Sequence, residues 1–261
     1  MTDVEAPAAL YERRGNVALI TINRPEARNA VNGDVAQGME AAIDELEADE
    51  EVWIGILLGN GPVFCAGADL KAISSGRAGE LQTERGGFGG IVVRDRTKAI
   101  IAAVDGPALA GGTEIVLACD LVVASTQARF GIPEAKRSLV AAAGGMFRLP
   151  RKVPFNVAME LALTGDPISA ERAYHFGLVN RLVEPGTVLE AATELAEQIC
   201  ANAPLAVQES RRLVLESINV TDDREGVRQS GAALMGLAST EDFAEGPLAF
   251  IEKRDPVWKG R

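Results

Sequence analysis

Three segments of the chain set carboxylates or a cation against turns of small residues. In Gly106-Pro107-Ala108-Leu109-Ala110-Gly111-Gly112-Thr113-Glu114, glycines fall where a strand is expected to give way to a helix. Glycine lets a ligand oxygen approach the backbone closely. A helix N-terminus adds unpaired N–H groups and the positive end of a dipole. Those are the components of an oxyanion hole, and Glu114 stands in the first turn beside it. The same residues also suit a plain capping carboxylate with glycines for tight packing, and taken alone this segment favours that reading. Ala66-Gly67-Ala68-Asp69-Leu70-Lys71 repeats the device: Ala68 offers a second N–H and Lys71 a partner for phosphate, or the stretch is an ordinary loop with a surface lysine. Phe130-Gly131-Ile132-Pro133-Glu134 adds a second carboxylate at a proline turn. Two carboxylates make an acid–base pair when their surroundings split their pKa values. Among 37 acidic residues, though, any chosen pair is weak support by itself.

Other chemistries are poorly supplied. His175 is the only histidine, at the end of an expected helix, and no G-x-S-x-G elbow accompanies it; a helix C-terminal role suits it. A multi-histidine metal site is therefore impossible, and no carboxylate spacing recommends magnesium. There is no Walker loop, and Gly86-Gly87-Phe88-Gly89-Gly90 does not continue into a dinucleotide fingerprint. Nothing points to NAD, flavin or ATP. Cys65, Cys119 and Cys200 are odd in number and form no C-x-x-C pair, which argues for a reducing, cytoplasmic setting. A net charge of -11 repels phosphate backbones and argues against nucleic acid, while leaving room for a small anion held by local donors. Met1 to Ala9 reads neither as a basic n-region nor as an apolar h-region. The greasiest stretch, Ala99 to Ser125, is interrupted by Asp105, Glu114 and Asp120, so no membrane span is expected.

The elements that must position these residues alternate between strand and helix. Asn16–Asn23, Val52–Leu58, Ile100–Val104 and Leu121–Ala124 read as strands. Asp34 is expected to cap a helix with an apolar face of Val35, Met39, Ile43 and Leu46. Gly111-Gly112 opens a helix through Leu117, and Arg94–Ala99 is expected to end one. Ser74–Gly90, rich in glycine and serine, reads as a mobile surface segment. Helices are expected over Ser169–His175, Val188–Ala201, Pro204–Ser217 and Val227–Ala238. The class is α/β, with a helical C-terminal third.

Four segments in register, Asn23-Arg24-Pro25-Glu26-Ala27-Arg28-Asn29-Ala30, Phe64–Lys71, Gly106–Glu114 and Phe130–Glu134, resemble the signature of the crotonase (enoyl-CoA hydratase/isomerase) superfamily. The resemblance runs from about Val17 to the C-terminus, and the tail from Glu245 to Arg261 is similar to that of carnitinyl-CoA dehydratase-like members. It implies a crotonase-like spiral of ββα repeats over residues 1–195 and a C-terminal helical trimerisation region over 196–261, assembled as a homotrimer or dimer of trimers. It implies an acyl-CoA thioester substrate whose carbonyl is held by the N–H groups of Ala68 and Gly111. Glu114 and Glu134 are then the catalytic pair, and Arg28, Asp69, Leu70, Lys71 and Lys253 the further coenzyme A contacts, Lys253 from the same or a neighbouring subunit. Coenzyme A is part of the substrate, and no other cofactor or metal is implied. The expected reaction is reversible addition of water to a 2-enoyl thioester, carnitinyl-CoA dehydratase-like chemistry included. The alternatives are double-bond isomerisation by one carboxylate and non-catalytic acyl-CoA binding. Two departures stand out: Ala110 where many members have glycine, and an Ala135–Gly145 segment without the proline common in hydratases.

Overall fold

Continuous apolar runs become the middle of one sheet. The structure, a computed structural model, describes residues 6–261; residues 1–5, on which the reading of the N-terminus partly rests, lie outside them. β1 (Ala9–Arg14) turns at Gly15, φ 60°, into β2 (Val17–Ile22), its antiparallel partner. α1 (Gly33–Ala48) follows, then β3 (Ile54–Gly59), the short α2 (Leu70–Ser74), the two-residue strands β4 (Gln82–Thr83) and β5 (Gly87–Phe88), and β6 (Ala99–Val104). Next come β7 (Ala108–Leu109), α3 (Gly111–Ala118), β8 (Leu121–Ser125) and β9 (Arg129–Gly131). After them run α4 (Gly145–Lys152), α5 (Phe155–Thr164), β10 (Ile168–Ser169), α6 (Ala170–His175), β11 (Arg181–Val183) and α7 (Val188–Cys200). The chain closes with α8 (Pro204–Glu216), α9 (Asp223–Leu237) and α10 (Glu241–Glu252).

The large sheet has the order β1-β2-β3-β6-β8-β11, parallel from β2 onward, and a small sheet has the order β10-β9-β7. After β6 and β8 the chain lays a short strand, β7 or β9, in the small sheet before a helix follows, and after β2 and β3 the single bridges Val31↔Ala68 and Cys65↔Ala108 take that place. The result is a spiral of ββα units. β6 shows why it holds together. Ile100, Ala102 and Val104 face the larger core with α1 and α3, while Ala99, Ile101 and Ala103 face a second core under α7. Alternate residues point to opposite faces, so a strand covered on both sides must be apolar throughout. Because β3, β6 and β8 are in register, their following loops leave the sheet one above another.

Several expectations need correction. α1 is capped by Asn32, whose side chain accepts the Val35 N–H at 3.0 Å, and Asp34 falls inside the first turn. The Ser74–Gly90 segment packs on α1: Leu81 is buried, and Arg85 and the Gly86 N–H meet Glu40. Arg94–Ala99 forms no helix; the Arg96 guanidinium is drawn inward to the Lys98 and Ala118 carbonyls and the Asp120 carboxylate. β1, α4 and α5 were not foreseen. α7 continues through the expected 195/196 boundary and packs against β3, β6 and β8. His175 does end α6, as its position suggested. Among the described residues, no helix is long and apolar enough to cross a membrane.

Candidate active site

The loop after β3 is tied down before it reaches Ala68. Asn29, fully buried at φ 55°, accepts the Arg24 N–H at 2.9 Å and donates to the Asn60 and Val63 carbonyls at 2.9 and 2.7 Å. Arg24 donates to Asp69 at 2.8 Å, and Asp69 caps α2 through the N–H groups of Lys71 and Ala72. Burial alone would raise the Asp69 pKa; Arg24 and the two amides outweigh it and hold the carboxyl below its ordinary value. Val31 bridges this loop by donating to Gly67 O at 2.8 Å and accepting from the Asp69 N–H at 2.9 Å. That pattern passes over Ala68, whose N–H enters no turn, loop or cap hydrogen bond among the described residues.

The second turn lies directly against the first. Leu109 N–H donates to Cys65 O at 3.0 Å, and a Cβ on Gly67 would stand 2.9 Å from the Gly111 nitrogen and 2.8 Å from the Ala110 Cβ. Only glycine at 67, at φ 92°, permits that approach. Ala110 is the N-cap of α3 at φ 53° and ψ -129°, with no side chain to cap the helix. A non-glycine residue there carries about 1–3 kcal/mol of strain. The Gly111 N–H, like that of Ala68, enters no turn, loop or cap bond among the described residues. Two adjacent glycine-dependent turns thus bring a pair of free amides together.

Glu114 does not cap its own helix. Its side chain, 3% exposed as a residue, crosses to the N-terminus of α4, where Oε1 accepts the Gly145 N–H at 2.8 Å. Burial pushes the Glu114 pKa up against the opposing pull of that amide, and the charge of Glu134 raises it further. Glu134 lies in the 3-10 turn Pro133–Arg137. Its Oε2 is buried with no hydrogen-bond partner among the described residues, and burial is the main cause of its raised pKa.

The other expected residues are disposed unequally. Arg28, at φ 55°, is tied to the loop by its carbonyl, which accepts the Ala66 N–H at 3.1 Å. Leu70 and Lys71 are exposed on α2, and Lys71 forms no ion pair among the described residues. Lys253 is exposed at the left-handed C-cap of α10, and no hydrogen bond or ion pair joins it to Ala68–Lys71 among the described residues. Gly145, Arg24 and Asn29 also hold the site together, and no local sequence pattern assigns them that role. A cavity of about 1090 Å³ lies between α8 and the ends of α3 and α4, lined by Arg148, Arg211 and Asp120 among others. Neither Glu114 nor Glu134 lines it.

Comparison with known proteins gives concordant matches. The enoyl-CoA hydratase/isomerase family model matches residues 12–261. The enoyl-CoA hydratase EchA19 of Mycobacterium tuberculosis is 41% identical over 100% of both chains. The carnitinyl-CoA dehydratase of Salmonella typhimurium is 39% identical over 95% of this chain and 97% of its own. A crystal structure of an enoyl-CoA hydratase from Mycobacterium tuberculosis H37Rv superposes with a TM-score of 0.94 at 49% identity, covering 98% of this chain and 100% of that one.

Proposed function

The chain belongs to the enoyl-CoA hydratase/isomerase family, and we propose that it is a hydratase-type lyase adding water reversibly to a 2-enoyl-CoA thioester. The thioester oxygen accepts the Ala68 and Gly111 N–H groups. Attack of water at the β-carbon forms the C–O bond and moves the π electrons toward that oxygen, where the two donors stabilise the charge. Losing one such donor typically costs roughly 3–4 kcal/mol. Glu114, whose anion is supported by the Gly145 N–H, takes the proton from water. Glu134, with no donor on Oε2, holds a proton and delivers it to the α-carbon. Solvent exchange returns both groups to their starting forms, and the reverse sequence is dehydration.

The observation that carries this reading is the retention of two carboxyls with raised pKa values near one pair of amides, Glu114 buried and Glu134 half-buried with its Oε2 shut off from solvent. Isomerisation needs one proton shuttle, and acyl-CoA binding needs none. Burying a second ionisable group carries a desolvation cost that neither alternative explains. A turnover screen over enoyl-CoA thioesters of different bulk, short, carnitine-related and ring-bearing, read by mass spectrometry, tests it. Gain of one water in at least one product is expected; intact thioester throughout, or a shifted double bond without mass change, overturns it.

Lys71, Leu70, Asp69 and the backbone at Arg28 are the proposed coenzyme A contacts, with Lys253 supplied by the same or a neighbouring subunit. The steps above need no metal or redox group. A homotrimer or dimer of trimers is supported by apolar residues left open on the last three helices, with Val214, Met235, Phe250 and Ile251 each at least 70% exposed. We place the oligomerisation region from Pro204, since α7 before it belongs to the sheet. The three free cysteines support a cytoplasmic location.

A further inference from the structure

We propose that Thr113 is a positioning residue that sets Glu134 against Glu114. Its side chain is fully buried in the first turn of α3, next to Glu114 in sequence. Thr113 Oγ1 lies 2.6 Å from Ala108 O and 2.9 Å from Gly131 O, and it accepts the Gly131 N–H at 3.0 Å. A hydroxyl has one proton to donate. Gly131 O already accepts the Ala110 N–H at 2.9 Å, so the shorter contact to Ala108 is the natural destination. One oxygen therefore joins three pieces of backbone. Ala108 begins the turn that ends in Gly111, Gly131 ends the strand that leads to Glu134, and Thr113 itself fixes the helix that carries Glu114. β7 and β9 meet through the short register Ala108↔Phe130 and Leu109↔Gly131 and the Ala110 N–H to Gly131 O bond, and the Thr113 hydroxyl is the side-chain link added at this point. A shift of β9 along β7 would carry Glu134 away from the α-carbon while leaving Lys71 and its neighbours on α2 in place.

This inference rests on Glu114 and Glu134 acting as a pair. Thr113→Val keeps the shape and removes the hydroxyl; Thr113→Ser keeps the hydroxyl and removes the methyl group. For Thr113→Val we expect kcat for hydration to fall by about 10–100-fold with KM within about two-fold, as a misplaced catalytic group would give. Deuterium exchange at the α-carbon should fall in the same ratio, and Thr113→Ser should restore both. A merely structural role would lower the melting temperature and leave kcat alone. If Thr113→Val does not fold, Thr113→Cys takes its place, and its weak thiol should give a kcat between those of the Ser variant and a Glu134→Gln enzyme. A folded Val or Cys variant with parental kcat overturns the role of Thr113 while the hydratase reading stands. A parent enzyme without hydration of any thioester removes that reading, and the role of Thr113 with it.

Discussion

Glu114 and Gly145, 31 positions apart, are joined by one hydrogen bond of 2.8 Å from the Gly145 N–H to Glu114 Oε1. A Cβ at position 145 would stand 3.1 Å from that oxygen and 3.0 Å from the Ala141 Cβ. Gly145→Ala should therefore displace the carboxylate by a few tenths of an ångström and lower kcat by about 10-fold, with KM little changed. Steady-state kinetics on the best thioester checks this; a parental kcat would show that the Gly145 contact does not set the position of the base.

The raised pKa values give a pH dependence with a definite sign. The folded state binds a proton on Glu134 more tightly than the unfolded chain does. The stability from that group is fully present below the unfolded pKa and is lost as pH rises through the folded pKa. Glu134→Gln stays neutral, so it should melt higher than the parent at about pH 8, with the difference closing by about pH 4. Thermal melts across that range test it, and a variant that is less stable at alkaline pH would contradict the buried environment.

Ala110 offers a stability prediction. At φ 53° and ψ -129° a Cβ is strained, and glycine is not. Ala110→Gly relieves strain of about 1–3 kcal/mol and loses about 0.4–1 kcal/mol through the freer unfolded chain. A net gain of about 1 kcal/mol is expected in denaturant unfolding. Destabilisation by a similar amount would show that the Ala110 Cβ, packed toward Gly67, contributes more than its strain removes.

Lys71 is exposed on α2, two residues after the Asp69 cap. If it meets a coenzyme A phosphate, Lys71→Glu should raise KM for thioesters by about 10-fold, leave kcat near parental, and lose that effect at high salt. Kinetics at two ionic strengths decide it, and an unchanged KM at low salt would move the phosphate contact elsewhere.

Much of this arrangement was legible in the residues, and its failures have physical reasons. Val35, Met39, Ile43 and Leu46 recur at helical spacing, and all four are fully buried on α1. The continuous run Ile100–Val104 lies in β6, buried on both faces. β1 was missed because Tyr11-Glu12-Arg13-Arg14 is a polar edge strand with one partner. α4 carries Pro150 and three cations, which mask a helix whose importance lies in one N–H at its start. Glu114 and Glu134 were named from motif and resemblance. What singles them out, the cross-chain amide on one and the orphaned oxygen of the other, depends on contacts between distant segments that no local pattern encodes.

The most direct measurement is the turnover of Glu114→Gln. Gln keeps an acceptor for the Gly145 N–H, so the variant should fold and bind thioester as the parent does. Its hydration of the best enoyl-CoA substrate should fall by about 10²–10⁴-fold, because no base remains to take the proton from water. A folded, thioester-binding Glu114→Gln enzyme whose turnover stays within a few-fold of the parent would contradict the two-carboxylate account.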